Sequence, residues 1–465
     1  VHLVKKILLA TCIYWLCLAC QDKKDRETTW IGGEIVNPKG NYVLLSRNNE
    51  IIDSIKLDEN NFFLYEVKGA KEGLYSFTHN EYQTFYLSPG DSLMLRVNTL
   101  DFDESLSYSG DGSEENNLLI EFFLMTEEEN WVMQELNMLK PEVFERSLDS
   151  LSVLRKNLYN NLVAQEDTDA TFRDIAKAYI KYDKLLRKEL YASANAASEN
   201  KIKPSDPYFN YRKKIDYGNE QLGTFYPYYR FLNAHFDNLA YQAYNGSSYV
   251  NRETYEHNKQ KMLLIDSLVT SENLKNSLLR RSVRQYLING SDADKEQEMV
   301  NLFLELSTSP EHKEEIQKLA KATINLVPGN TIPNLLLVTA DNTVKDLHSL
   351  IEKPTVIFFW SIESIRQYKD IHTRAAELRS KYPEYDFIGI NTDTHFKKWR
   401  KVLTNTGYNP DKEYQFESIQ DAEKKLVLTS LTKAFILDKD GQILHSNANL
   451  TNPEIEKFLL GNLNK

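Results

Sequence analysis

A chain of 465 residues exceeds what one hydrophobic core usually organises, so about two to four domains is the starting expectation. Its 41% apolar and 26% charged residues match an ordinary globular composition and exclude global disorder. A formal net charge of -11, with no basic stripe to offset it locally, repels phosphate backbones and excludes nucleic acid as a partner class.

At the N-terminus, Lys5 and Lys6 precede the apolar run Ile7 to Ala19. That run is too short to span a bilayer core of about 30 Å and has the layout of a secretory signal, expected to be removed as residues 1–19. It closes on Cys17-Leu18-Ala19-Cys20, followed by the polar stretch Gln21 to Glu27. This resembles the lipobox of bacterial lipoproteins, although Cys17 stands where leucine is usual. The resemblance implies lipidation at Cys20 and a tether over residues 20–28. The expected location is therefore the bacterial cell envelope, with the membrane as a partner through the N-terminal lipid, on the periplasmic or surface face, the outer membrane included. The competing reading is a plain signal peptide with incidental cysteines. Cys12, Cys17 and Cys20 are the only cysteines, so residues 21–465 hold no disulfide, no thiolate nucleophile and no cysteine-ligated metal.

From Trp30 the pattern turns to short alternating runs: Ile31 to Val36, Tyr42 to Ser46, Ile51 to Leu57, Phe62 to Val67, Leu74 to Thr78, Thr84 to Leu87 and Ser92 to Val97. Turn chemistry such as Asn37-Pro38-Lys39-Gly40 and Pro89-Gly90-Asp91 separates them. Residues 29–112 are expected to form an antiparallel β sandwich or open barrel. Gly32-Gly33-Glu34-Ile35, Tyr86 to Leu93 and Tyr108 to Gly112 resemble a small β domain of secreted bacterial lipoproteins. The resemblance supplies a fold rather than chemistry, and Asp91 and Ser92 are read as turn residues after Pro-Gly.

Over residues 113–327 apolar residues recur every three or four positions, as in Leu148, Leu151, Leu154, Leu158 and Leu162. Helices are predicted from about 114 onward and near 140–163, 168–194, 219–243, 250–270, 272–288, 293–307 and 311–325. The stretch Phe225 to Phe231 is rich in rings, with Tyr228 and Tyr229 at its centre. Such rings could line a peptide or sugar groove, but aromatics at helical spacing also serve as core, and packing is the preferred reading. The nine histidines are scattered without ligand spacing, so no metal and no cofactor is expected.

Pro328-Gly329 opens the last region, 328–465, where strand and helix patterns alternate. Leu335 to Thr339 and Val344 to Leu347 predict a hairpin, and Pro354 to Trp360 is a continuous apolar run of the kind buried on both sheet faces. A helix is predicted over 364–381, a parallel strand over 385–391 and a helix over 396–405. A hairpin over 434–445 and a final helix over 453–460 complete the pattern.

Val356 to Trp360, Ile388 to Asp393 with Trp399, and Ala434 to Ile443 together resemble the framework of the TlpA-like and ResA-like thiol-disulfide oxidoreductases. The resemblance covers under a third of the chain and implies a thioredoxin-like α/β domain. It also implies a Cys-x-x-Cys pair at a helix N-terminus, where this chain reads Trp360-Ser361-Ile362-Glu363-Ser364. Serine oxygen cannot form a disulfide, and Ser361 and Ser364 are read as helix N-cap residues with Glu363 favouring the positive helix end. The family's cis-proline position falls on Thr432, where a trans bond is expected because a cis bond before a non-proline residue costs about 2.5 to 4 kcal/mol.

The sequence thus predicts a multidomain lipoprotein with an N-terminal antiparallel β sandwich, a helical middle and a C-terminal thioredoxin-like domain. That last domain is expected to be redox-inactive and to bind a protein, peptide or other ligand. An envelope protein or peptide is the expected partner, with Trp360, Ser361, Glu363, Ser364, Thr432, Tyr228 and Tyr229 as candidate contacts. With no catalytic residue assigned, the chain is not expected to be an enzyme itself. The alternative is an oxidoreductase role in cell redox homeostasis with a cysteine-bearing partner.

Overall fold

The computed structural model describes residues 28–48, 50–79, 81–165, 168–196, 204–243, 252–289, 292–362 and 364–463. The expected signal segment, the lipidation site Cys20 and the first-turn residue Glu363 lie outside the described residues. The described chain up to residue 243, with residues 268–274, packs as one compact unit. Residues 252–267 and 275–463 pack as a second. Helices of the middle region fall in both units.

In the first unit the strands are β1 (Trp30–Val36), β2 (Tyr42–Arg47), β3 (Glu50–Lys56), β4 (Phe62–Glu66), β5 (Gly73–His79), β6 (Glu81–Leu87) and β7 (Ser92–Asn98). The short helix α1 (Phe102–Ser105) and strand β8 (Ser107–Gly110) follow. They form two four-stranded sheets, β4-β1-β7-β8 and β3-β2-β5-β6. Alternation puts Ile31, Ile35, Leu93, Leu95 and Val97 of one sheet and Val43, Leu45, Phe77, Phe85 and Leu87 of the other into a single core. The fully antiparallel expectation is corrected at one pairing, because β1 runs parallel to β7, with Ile31 opposite Leu93 and Ile35 opposite Val97. Strands so far apart in sequence are free of the hairpin constraint, and burial on a central position compensates.

Helices α2 (Ser113–Leu136), α3 (Pro141–Gln165), α4 (Ala170–Ala196) and α5 (Tyr226–Ala243) complete this unit. Pro227 sets the start of α5, later than the periodicity from 219 predicts, because proline is tolerated in a first turn and not in a helix interior. Buried polar groups bind α4 to α5: the Glu189 carboxylate accepts from Arg212 Nε at 2.9 Å and Asn238 Nδ2 at 2.6 Å and faces His235 Nδ1 at 2.7 Å.

The second unit begins with α6 (Tyr255–Leu268) and α7 (Glu272–Asn289), both of which reach into the segment grouped with the first unit. Next come α8 (Ala293–Leu306) and α9 (Pro310–Thr323), which start at side-chain caps as their sequences dictate. Asp292 accepts from the amides of Asp294 and Lys295, and Ser309 accepts from that of His312.

The C-terminal sheet contains β9 (Leu336–Val338), β10 (Val344–Asp346), β11 (Thr355–Trp360), β12 (Asp386–Asn391), β13 (Glu413–Phe416), β14 (Ala434–Leu437) and β15 (Ile443–Ala448). Their order is β10-β9-β13-β12-β11-β14-β15, with β11, β12 and β13 parallel. Helices α10 (Ile365–Lys381), α11 (Phe396–Thr406) and α13 (Ile455–Leu463) cover one face. Helix α12 (Ile419–Leu426), with Leu319 and Ala322 of α9, packs on the other. All six residues of β11 are buried, as a strand covered on both faces requires. Strand β13 and helix α12 were not foreseen, since Glu-Tyr-Gln-Phe alternates without an apolar run.

Candidate functional site

The parallel strands β11, β12 and β13 end together, with Trp360 opposite Asn391 and Asn391 opposite Gln415. Ligands in α/β sheets gather outside such carboxyl ends, where the chain turns from strand to helix. At this edge the Asp393 carboxylate accepts three hydrogen bonds: Ser361 Oγ at 2.7 Å, the Ile362 amide at 2.6 Å and Asn391 Nδ2 at 2.7 Å. Gln415 closes the arrangement by donating from Nε2 to Asn391 Oδ1 at 3.0 Å and to the Asp393 carbonyl at 2.5 Å. An ionised acceptor makes such bonds stronger than neutral ones, about 1.5 to 3 kcal/mol each. The loop entering α10 is thus held by a carboxylate contributed from the neighbouring strand end.

One layer below, Trp360 Nε1 donates to Glu413 Oε2 at 2.9 Å, and His372 Nε2 lies 3.1 Å from Glu413 Oε1. His372 Nδ1 is 2.6 Å from the Tyr368 carbonyl, which can only accept, so Nδ1 carries a proton. His372 also stacks on Tyr408 with ring centroids 3.8 Å apart. Gly389, in register with Glu413, makes room for this carboxylate: a Cβ there would come within 2.4 Å of Glu413 Oε2.

The sequence-derived candidates are sorted by this geometry. Ser361 is part of the cluster, its hydroxyl donating to Asp393. Ser364 occupies the N-cap position of α10 without a side-chain cap bond, which corrects the capping expectation. The competing Asp393 carboxylate, being charged, is the stronger acceptor for the loop's donors. Trp360 is fully buried, so its ring is core and not a contact surface. Thr432 is exposed and its hydroxyl pairs with Ser430 at 2.8 Å. No cis peptide bond occurs among the described residues, as expected at Thr432. The loop holding Thr432 approaches α10 through Gln367, whose Nε2 reaches the Phe359 carbonyl at 3.1 Å and the Leu431 carbonyl at 3.5 Å. Beside it, burial lowers the Lys433 ammonium to about 8 while its Nζ donates to the Leu426 and Val427 carbonyls.

In the first unit, Tyr228 is fully buried, its hydroxyl donating to the Asp216 carbonyl at 2.6 Å, and Tyr229 is half-buried. The packing reading holds for Tyr228, which is not a groove residue. Asn391, Asp393, Glu413, Gln415 and His372 escaped the sequence reading. Asn391 and Asp393 stood inside a quoted motif; strand register brings Gln415 to Asn391 and Glu413 to Gly389, and α10 carries His372 to Glu413.

Residues 352–443 match the family described as thioredoxin-like. The fold and this match together define the C-terminal domain as thioredoxin-like. Among solved structures, a Bacteroides vulgatus protein provisionally described as a thiol-disulfide oxidoreductase is 20% identical, covering 30% of this chain and 97% of its own at a TM-score of 0.27. A thioredoxin-like protein from Bacteroides caccae is 14% identical, covering 59% of this chain and 92% of its own at a TM-score of 0.36. The thioredoxin domain of a thiol-disulfide oxidoreductase from Bacteroides vulgatus is 13% identical, covering 29% and 99% at a TM-score of 0.26. No curated protein matches the chain.

Proposed function

We propose that this chain is a lipid-anchored protein of the bacterial envelope whose thioredoxin-like domain recognises a protein or peptide segment without exchanging disulfides. The observation that carries the reading is the Asp393 carboxylate, which takes the Ser361 hydroxyl and the Ile362 amide at the entry to α10. Dithiol chemistry needs a thiolate at such a helix entry, stabilised by nearby donors. Here the donors are already engaged by a fixed carboxylate, and the residues at the two positions are serines with no cysteine anywhere in residues 21–465. What remains is a hydrogen-bonded rim of strand ends and an exposed loop at Thr432, a form suited to binding. The run Ile7 to Ala19 before Cys20 supports the anchoring part of the proposal.

A photo-crosslinking amino acid placed at Thr432 in intact cells tests the reading. It should capture a discrete protein adduct whose yield falls at least fivefold when Asp393→Ala loosens the loop. Absence of any adduct at that position, or a yield indifferent to Asp393→Ala, would remove the site from this role.

A further inference from the structure

The first unit holds a cavity that the thioredoxin-like domain does not share. It measures about 290 Å³ and lies where β6, α1, α2, α4 and the start of α5 meet. Aromatic rings supply much of its wall: Phe123 meets Tyr226 edge to face at 5.9 Å, and Tyr179 meets Phe225 edge to face at 5.7 Å. Glu81 and Asp103 supply its charge. Among the described residues no hydrogen bond or ion pair neutralises Asp103, and the charged groups acting on it, Glu81, Glu104 and Glu127, are all acidic. Burial, then these three neighbours, push its carboxyl up to about 6. Arg230 is not part of the wall; it donates to the Tyr226 hydroxyl at 2.7 Å and lies over that ring, 5.1 Å from its centroid.

Aromatic faces and carboxylates favour the same kind of guest. A ring quadrupole attracts a cation by about 0.5 to 2 kcal/mol, and like-charged carboxylates gain most when a positive group enters among them. An anion is repelled by both. The volume is just below the lower end of the roughly 300 to 1,000 Å³ range of small-molecule pockets, enough for one stem with a compact head.

We propose that this cavity binds an organic cation, an ammonium or guanidinium head on a short apolar stem. The cation comes either as a free small amine or as a basic side chain of a peptide.

Ligand-detected NMR on the detergent-solubilised full chain tests this with butylammonium, butylguanidinium, butanol, butyrate and a blocked Gly-Lys-Gly peptide. The two cations should bind at least tenfold more tightly than butanol, and butyrate should not bind. Asp103→Asn with Glu81→Gln, a nearly isosteric pair, should weaken the cations at least fivefold at unchanged circular dichroism, and so should Tyr226→Ala. Asp393→Ala, in the other unit, should change nothing, which keeps this proposal separate from that for the thioredoxin-like domain. Peptide binding that butylammonium displaces identifies the side-chain source; binding of the free amines alone identifies the small-molecule source. Equal binding of butanol and the cations, no binding by folded protein, or cation binding indifferent to the two carboxylates would overturn the proposal.

Discussion

Asp393 is the residue on which the C-terminal rim depends. Its carboxylate satisfies a hydroxyl, a backbone amide and a side-chain amide contributed by two strand ends. Alanine there leaves three donors to find water or each other, at a cost of about 2 to 4 kcal/mol allowing for partial solvent access. Hydrogen exchange should report it locally: the Ile362 and Ser364 amides should lose protection in Asp393→Ala and keep most of it in Asp393→Asn. Protection unchanged in the alanine variant would mean that the carboxylate is incidental to the loop. Gly389 and Glu413 illustrate the same dependence of one residue on another, since the buried carboxylate lies where any Cβ on Gly389 would be.

Among the elements, α4 and α5 are joined by a charged cluster. Burial pushes the Glu189 carboxyl up, but the bonds and charge of His235 and Arg212 outweigh it and hold the group below its ordinary value. A carboxyl held low contributes stability above its unfolded-state pKa and loses it as pH falls through the folded value. Glu189→Gln removes the charge and leaves Arg212 and His235 without their anion, which should cost about 3 to 5 kcal/mol near neutral pH. Urea unfolding at pH 7 and at pH 4 should show the gap between variant and wild type narrowing in acid; an equal gap at both would show that the carboxylate's charge is not what joins the helices.

Much of this level was legible beforehand. The apolar run of β11, the hairpin of β9 and β10 and the periodicity of α9 and α10 all follow from side-chain pattern. What escaped has a physical cause in each case. Strand β13 is buried yet carries Glu413 and Gln415, because both side chains are satisfied by Trp360, His372 and Asn391 across the sheet. No local pattern reveals a polar residue whose partners are 24 to 53 positions away. The start of α5 was readable from Pro227, since its ring excludes the upstream turn. The parallel pairing of β1 with β7 depends on which edge the first strand finds, which alternation alone leaves open.

Across the whole molecule, the chain combines a unit of two sheets and long helices with a second unit built on the thioredoxin-like domain. None of the helices among the described residues is long and apolar enough to cross a membrane. The cavity beside Asp103 and the rim beside Asp393 lie in separate units, so their variants should leave each other's binding intact. The central claim is that the thioredoxin-like domain works without thiols. It is tested most directly by following the reduction of insulin disulfides by dithiothreitol with and without the detergent-purified chain. The account predicts a rate equal to that of dithiothreitol alone at every protein concentration; a rate that rises in proportion to the added chain would contradict it.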